Sequence, residues 1–506
     1  MGKTKSIKKN FVMNATLTVA AILFPIISNP YVNRHLGPTG TGSVDFAVSI
    51  VGYFSLFALL GIPYYGIRIV AQVRNDQEEL NKVVQELLII NLITSLITTL
   101  AFIPSVFLIP QLNDDKALFF IVGITIWLNS IGLEFLYKGL EQYSYITIRS
   151  LIFKFIALVS IFFLIHEKED YVIYGGITIF ASSASNIMNL IHSRKLISYK
   201  RQKSYNFRRH LKPAIIFFAM SCATTIYLHL DTAMLGFIVT KTDAGHYGSA
   251  VRIKTILVGV VTSLGAVILP RVSYYIEHDL MDDFKRVTQK ALKFVFVVAT
   301  PLMVYFMFFA DESILFMSGP KYIPSIMAMR VIMPTLLFIG ITNLIGIQIF
   351  VPLGKEKYVL YSEIAGAITD LILNAILIPS LKATGAAIGT VVAEFVVLLV
   401  QFILLHKIKD KCNIYELFKH VKYWKIIVAI AISIPCGIWI KFVDFKFFDG
   451  KLPKESLCSA ANYLSMLAIS AACYFLAYYI IMMILKDDMV REITSTVFGK
   501  LKRKKA

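Results

Sequence analysis

The feature that most constrains this chain is a succession of long apolar segments separated by short polar loops. A bilayer core needs about 20 consecutive apolar residues for each helix that crosses it, and runs of that length recur along the whole sequence. Fourteen segments are indicated, at 11–33, 43–67, 83–109, 117–137, 143–165, 171–192, 212–239, 246–270, 284–310, 324–351, 358–379, 384–406, 422–442 and 458–485. We therefore predict an all-α polytopic membrane protein, because lipid tolerates helices far better than irregular backbone.

The composition agrees with a membrane protein. Hydrophobic residues make up 57% of the 506 residues and charged residues only 16%, whereas an average soluble domain has about 25% charged residues. This excludes an ordinary soluble protein, a disordered chain and a collagen. The five cysteines are odd in number and form no Cys-x-x-Cys motif, so we expect free thiols and neither a disulfide framework nor a zinc site.

The distribution of positive charge predicts the orientation of the chain. The formal net charge is +19, which in a soluble protein would suggest nucleic acid. With the N-terminus inside, the predicted cytoplasmic segments hold 35 lysines and arginines and the outer segments hold ten. This asymmetry predicts cytoplasmic termini and explains the charge without nucleic acid. The basic linker at 193–212 and the basic tail at 486–506 are expected to lie against anionic membrane lipids.

An internal repeat relates two parts of the chain. Gly42-Ser-Val-Asp-Phe-Ala47 opens the second segment, and Gly245-His-Tyr-Gly-Ser-Ala250 opens the eighth, 203 residues later. The same offset pairs Arg68 with Arg271, Asp76 with Asp279 and Lys82 with Lys285. We predict two pseudo-symmetric six-helix lobes, at 1–192 and 213–410, around a central cavity. Two additional transmembrane helices follow within 411–485.

Several motifs resemble one known family. Asp231-Thr-Ala-Met-Leu-Gly236, Leu269-Pro-Arg-Val-Ser273 and Asp370-Leu-Ile-Leu-Asn374 resemble segments of bacterial lipid-linked oligosaccharide flippases. That family belongs to the multidrug/oligosaccharidyl-lipid/polysaccharide exporter superfamily. Leu36-Gly-Pro-Thr-Gly40 is similar to its first-half signature. Asp370 stands where asparagine is more usual in the family. The resemblance extends from residue 1 to 410 and covers the last two segments only by their number.

The resemblance implies a function. It implies a two-lobed fold with a cationic cavity that flips a polyprenyl-pyrophosphate-linked glycan from the inner to the outer leaflet of the bacterial plasma membrane. Alternating access would drive this step in cell-surface polysaccharide assembly, with other polysaccharide-assembly membrane proteins as further partners. The alternative is a drug or organic-cation antiporter of the same superfamily, which typically has twelve spans and acids where this chain places cations.

An enzyme is not expected. A membrane glycosyltransferase or polymerase would need a large outer loop or a cluster of catalytic carboxylates, and the longest predicted outer loop is only 441–457. The sequence contains no His-Glu-x-x-His, Gly-x-Ser-x-Gly or phosphate-loop motif. We therefore predict no catalytic residues, no metal and no cofactor.

Positive charges at membrane depth are costly and are candidate functional residues. Lys154 follows the start of the fifth segment by 11 residues, which places it about 16 Å along the helix. Arg252 and Lys254 point about 200° apart on their helix, so at most one faces a narrow cleft. Arg34 and Arg330 have the alternative of reaching outer headgroups. The predicted pyrophosphate-binding cations are Arg34, Arg149, Lys154, Arg252, Lys254 and Arg330.

Acidic and amide side chains form a second group of candidates, for coupling transport to a proton or a sodium ion. These residues are Asp231, Glu363, Asp370, Asn374 and Glu394. Glu363, Asp370 and Asn374 are separated by seven and four residues, so they share one helix face. Polar contact between helices is the alternative role. Asp370 is expected either to pair with Lys154 or to bind the coupling ion.

Overall fold

A computed structural model describes residues 7–408, 413–419, 421–443, 457–492 and 494–495. Every regular element within these ranges is helical. The α-helices are α1 (Ile7–Leu59), α2 (Ile62–Val73), α3 (Gln77–Leu108), α4 (Pro110–Asn113), α5 (Lys116–Ile131), α6 (Glu134–Gly139), α7 (Tyr143–Leu164), α8 (Tyr171–Ile179), α9 (Ser185–Ser193), α10 (Arg208–Ile238), α11 (Lys241–Glu277), α12 (Met281–Phe308), α13 (Ala310–Met317), α14 (Ser325–Ile332), α15 (Thr335–Asn343), α16 (Glu356–His406), α17 (Ile414–Lys419), α18 (Tyr423–Ile438) and α19 (Leu457–Ile484). Short 3₁₀ segments lie at Lys168–Asp170, Pro320–Tyr322 and Trp439–Phe442, and π-helical segments at Phe180–Ala184 and Leu344–Phe350.

Ten helices among the described residues are long and apolar enough to cross a membrane. Their outward faces carry large apolar side chains: Ile97 is 62% exposed and Leu100 is 64% exposed. Water would oppose so much exposed apolar surface, whereas lipid accommodates it. The chain is therefore a multi-pass helical membrane protein, as the apolar segments predicted.

Two of the longest helices contain a break in the backbone. Within α1, Gly37 has φ 68°, a conformation that glycine adopts readily, and Pro38 follows it. Within α16, Lys382 has φ 52°, which is uncommon for a residue with a Cβ atom. Both breaks fall between apolar segments that the sequence predicted as separate. The count of fourteen membrane crossings stays a prediction.

The chain divides into two compact units, Met1–Gly248 and Ser249–Ala506. In the first unit, one apolar cluster contains Phe46, Phe102 and Phe119, and another contains Leu80, Leu87 and neighbouring side chains. By its contacts α10 belongs to the first unit, although the sequence analysis placed it in the second lobe. The predicted lobes were defined by the repeat and stay a prediction.

In the second unit, the last two described helices pack against α12. Tyr474 donates a hydrogen bond to the carbonyl oxygen of Pro301 at 3.2 Å, and Tyr478 donates to that of Val297 at 3.1 Å. Tyr305 is buried beside Tyr474 in the apolar cluster at this junction. The helices predicted within 411–485 are therefore integral to this unit. Parts of two further predictions, the outer loop at 444–456 and the basic tail from 496 onward, lie outside the described residues.

Candidate functional site

Within the first unit, the start of α11 lies directly against α1, and glycines make this approach possible. A Cβ atom on Gly42 would overlap the carbonyl oxygen of Lys241, and a Cβ atom on Gly245 would overlap that of Pro38. Only residues without a side chain allow two backbones to come this close. We call this contact, formed by residues 38–42 and 241–245, the Gly42 contact.

The Gly42 contact joins residues that are equivalent in the sequence repeat. The hydroxyl groups of Thr39 and Thr242 are hydrogen bonded at 2.9 Å, and these residues are 203 positions apart. The same offset separates Gly42 from Gly245. It also separates Pro38 from Lys241, the two residues whose carbonyl oxygens face these glycines. Self-complementary pairing of this kind is what a two-fold relationship produces.

An ion pair lies beside the Gly42 contact. Lys241 Nζ donates to Asp115 Oδ2 at 2.8 Å, and the Tyr171 hydroxyl donates to Asp115 Oδ1 at 2.8 Å. Burial raises the pKa of the Asp115 carboxyl, but the hydrogen bonds from Lys241 and Tyr171 and the lysine charge outweigh burial and hold the pKa below its usual range. The carboxylate is therefore ionised at neutral pH and stabilises this arrangement. Sequence reasoning missed Asp115 and Lys241 as a pair because both lie in predicted loops.

Of the predicted cations in the first unit, two are buried and one is half-buried. Arg34 donates to the carbonyl oxygen of Pro30 at 2.8 Å, and Arg149 donates to that of Ser185 at 3.2 Å. Lys154 is half-buried and forms no hydrogen bond or ion pair with any residue that the structure describes. Among these three cations, Lys154 is thus the one with no partner among the described residues, whereas each arginine donates to a neighbouring carbonyl group.

Further buried polar groups of the first unit include two asparagines outside the predicted set and the predicted Asp231. Asn29 and Asn33, one helical turn apart on α1, are 3% and 1% exposed. Asp231 is also buried, and Tyr247 on α11 donates a hydrogen bond to its carboxylate. The tyrosine gives Asp231 a structural partner between two helices, while its predicted coupling role stays a prediction. Neither asparagine was selected from the sequence, because the apolar segments were searched for charged residues and an uncharged amide does not stand out there.

The predicted cations of the second unit differ in their surroundings. Arg252 and Lys254 are both half-buried on α11. Arg330 Nη2 is paired with Asp311 Oδ2 at 2.5 Å, and Lys441 Nζ lies 3.0 Å from Glu312 Oε1 beside this pair. Arg330 therefore belongs to a local ion-pair network.

The acidic stripe of α16 lies between the two halves of that helix. Its halves fold back on each other at the Lys382 break, since a Cβ atom on Gly389 would lie 3.1 Å from Asp370 Oδ1. Farther along, Gln401 Nε2 donates to Ser362 Oγ at 3.3 Å. Asp370, Asn374 and Glu394 are 1%, 0% and 6% exposed, and Glu363 is half-buried. The shared helix face is confirmed, and it forms a polar seam within this hairpin.

A second buried charged group, which sequence reasoning missed, lies at the start of α3 in the first unit. The side chain of Glu86 is fully buried, and its Oε2 lies 2.6 Å from Arg209 Nη2 and 2.7 Å from His210 Nε2. The backbone N–H of Asn206 donates to Glu86 Oε1 at 2.6 Å, and Arg209 also pairs with Glu79. We call these five residues the Glu86 cluster.

The predicted linker at 193–212 is attached to α3 through the same region. Ser198 donates its backbone N–H to Asn81 Oδ1 at 2.8 Å, and Gln85 Nε2 donates to the Ser198 carbonyl oxygen at 2.6 Å. Tyr205 donates to Gln85 Oε1 at 2.7 Å. These bonds fix the linker to the first unit.

No group of three or more histidine, cysteine, aspartate or glutamate side chains in the described part of the chain is arranged to hold a metal ion. Cys222, Cys436 and Cys473 are free thiols. The side chains of Cys412 and Cys458 lie outside the description.

Together these features define a class, a multi-pass helical membrane protein with charged and polar side chains buried within its helices. Residues 7–276, more than half of the chain, match the family described as polysaccharide biosynthesis protein. The chain belongs to this family, and the resemblance drawn from its motifs is confirmed. It is also similar to a candidate O-antigen transporter of Escherichia coli (strain K12), with 22% identity over 80% of this chain and 98% of the relative.

Solved structures show the fold to which this chain is similar. The lipid II flippase MurJ in an inward closed conformation is 16% identical with a TM-score of 0.63, over 93% of this chain and 99% of that chain. An inward-facing multidrug resistance MATE family transporter of the MOP superfamily is 15% identical with a TM-score of 0.59, over 77% and 96%. At these identities the likeness establishes the fold alone.

Proposed function

We propose that this protein flips a polyprenyl-pyrophosphate-linked oligosaccharide from the inner to the outer leaflet of the bacterial plasma membrane. Membership of the polysaccharide biosynthesis family is the observation that carries the proposal. The relative named for O-antigen transport supports it, because the alignment covers 98% of that relative. The proposed activity is transport, without a catalytic residue or a cofactor.

The cargo sets the physical requirement. A pyrophosphate and a polar glycan must cross hydrocarbon, which charged groups enter only at a large cost in free energy. Cations that line a hydrated cavity lower that cost. Lys154 is the first candidate because it is half-buried and none of its described neighbours pairs with it. Arg34, Arg149, Arg252 and Lys254 are secondary candidates, and Arg330 is the weakest because Asp311 pairs with it.

Alternating access requires contacts that break in every cycle, and the Gly42 contact is suited to this role. Its hydrogen-bonded threonines are exposed to solvent, so water can satisfy their hydroxyl groups when the contact opens. We assign this contact to the outer gate, which follows from the proposed orientation with both termini in the cytoplasm. The breaks at Gly37 and Lys382 support a chain that crosses the membrane fourteen times.

Coupling to an ion is a further part of the proposal. Asp370 lies in the buried seam of the α16 hairpin, where a carboxylate is costly unless it is paired, protonated or bound to a cation. A proton or sodium ion at this seam, exchanged when the cargo pyrophosphate binds Lys154, would link ion and cargo reciprocally. A permanent structural role for Asp370 is the alternative, and insensitivity of wild-type transport to imposed gradients would establish it.

A drug antiporter is the second candidate, and the MATE fold is the observation that favours it. The extent of the fold argues for the flippase. The MATE transporter covers 77% of this chain, whereas MurJ covers 93%. The fold that matches more of the chain is the better description of it. The last two helices, α18 and α19, pack on α12 and are therefore part of the fold that has to be matched.

Translocation in vesicles tests the proposal. Purified protein would be reconstituted with a defined lipid-linked glycan, and the fraction exposed to an external glycan-modifying enzyme would be measured over time. We expect glycan transfer in wild type and at least about a tenfold lower rate in Lys154→Ala, which corresponds to one charge-assisted contact. Lys168→Ala, at an exposed lysine in the 3₁₀ segment after α7, is the matched control. Export of an organic cation without glycan transfer would establish the antiporter instead.

A further inference from the structure

A groove in the second unit has no role in the proposed transport step. It encloses about 570 Å³ between α11 and α12, with Met489 and Glu492 of the chain that follows α19 forming a third wall. Leu264, Ile268, Ala291 and Phe294 supply most of its apolar lining. The lining residues recur every three or four positions along each helix, so each helix presents one face to the groove. A volume of this size suits one small amphiphile.

Three cations line this groove, and two of them are already neutralised. Arg286 Nη2 is paired with Asp283 at 2.6 Å, and Lys290 Nζ donates to both carboxylate oxygens of Glu492 at 2.9 Å. Arg271 also lines the groove and forms no ion pair or hydrogen bond with any described residue. The groove therefore combines an apolar wall with one uncompensated guanidinium group.

The third wall is held firmly in place. Lys293 on α12 pairs with Asp487 at 2.9 Å, and their side chains are only 12% and 2% exposed. Asp487 also accepts hydrogen bonds from the backbone N–H groups of Met489 and Val490 at 3.0 and 3.3 Å, which caps the helical turn at 488–492 that carries Glu492. The groove is thus a built feature of the unit.

We infer that this groove binds one anionic glycerophospholipid, with its phosphate at Arg271 and an acyl chain along the apolar wall. The charges agree, because a phosphodiester carries one negative charge and the groove presents one free guanidinium group. A pyrophosphate carries more charge than this single group offsets. Basic pockets between membrane helices at the cytoplasmic side are recognised lipid sites. The cytoplasmic position of the groove rests on the orientation given with the proposed function.

Lipid binding to the purified, detergent-solubilised protein tests this inference without any transport assay. Phosphatidylglycerol and phosphatidylcholine would be titrated separately, and the bound species counted by native mass spectrometry. We expect wild type to prefer phosphatidylglycerol and Arg271→Ala to lower its binding about tenfold, the loss of one charge-assisted contact. Lys285→Ala is the matched control, since Lys285 lies on α12, pairs with Glu416 at 3.6 Å and does not line the groove.

A second variant keeps the test decisive if Arg271→Ala folds poorly. Leu264→Trp fills the apolar wall without changing charge, and we expect it to reduce phosphatidylglycerol binding to a similar extent. Unchanged binding in both variants would overturn the inference. Arg271-dependent binding of farnesyl pyrophosphate in preference to phosphatidylglycerol would also overturn it and assign the groove to the lipid-linked cargo. Failure of glycan transfer with lipid binding intact would refute the proposed function alone.

Discussion

The Gly42 contact and the Glu86 cluster both tie distant parts of the first unit together, but by opposite means. The Gly42 contact brings backbones together over glycines, with exposed threonine hydroxyls and one partly buried ion pair at its edge. The Glu86 cluster surrounds a fully buried carboxylate with an arginine and a histidine. Opening the first exposes groups that water can solvate, whereas opening the second separates charges that are costly to leave buried and unpaired. Under the proposed transport cycle, we therefore expect the first to separate and the second to stay closed.

The largest expected effect belongs to the Glu86 cluster. Glu86→Ala should lower the free energy of unfolding by about 3 kcal/mol, because the buried His210 ring and the Asn206 N–H lose their acceptor and Arg209 loses one of its two carboxylate partners. Thermal unfolding of the purified protein measures this loss. Glu79→Ala is the control, because the Glu79 side chain is 32% exposed and exposed pairs contribute at most about 1 kcal/mol. Equal stability of the two variants would contradict a fixed, buried cluster.

The next effect belongs to the Gly42 contact. Gly42→Ala should lower the rate of glycan transfer at least about tenfold, or about 1.4 kcal/mol of activation free energy, because the new Cβ atom overlaps the Lys241 carbonyl oxygen. The control is Gly176→Ala on α8, where a Cβ atom would meet its nearest neighbour at an ordinary 3.6 Å. Transfer in Gly42→Ala at the rate of the control would show that closing this contact is not part of the cycle.

A smaller effect should appear as a dependence on pH. Because the pKa of Asp115 is held below its usual range in the folded protein, the ion pair with Lys241 contributes fully above about pH 4 and is lost as pH falls through the lower folded value. Accessibility of a cysteine at Thr39 to a membrane-impermeant reagent should therefore rise in acid. Asp115→Asn should make this accessibility high and independent of pH. An unchanged acid-dependent rise in that variant would remove Asp115 from the account.

The sequence predicted the helical segments well because each apolar run must be long enough to cross lipid. It placed separate segments on either side of Gly37 and Lys382, where the backbone breaks. The repeat identified Gly42 and Gly245 as equivalent positions. An equivalence in sequence does not say how far apart two residues lie in the fold, so their contact was not predicted. Glu86 and Arg209 are 123 residues apart, and no local pattern connects them. The observed helix ends differ from the predicted ones where a capping residue sets the end. Asp76, for example, caps α3 by accepting hydrogen bonds from two backbone N–H groups in its first turn.

Paired disulfide cross-links test most directly whether one region opens and the other does not. Thr39→Cys with Thr242→Cys would join the Gly42 contact, where the two hydroxyl oxygens lie 2.9 Å apart. Asn81→Cys with Ser198→Cys would join the linker to α3 beside the Glu86 cluster, where the Ser198 N–H donates to Asn81 Oδ1 at 2.8 Å. Glycan transfer would be measured after oxidation and again after reduction, with each single cysteine as its own baseline. We predict that the first cross-link abolishes transfer until it is reduced and that the second leaves transfer unchanged. Full transfer through an intact Thr39–Thr242 cross-link would contradict the account.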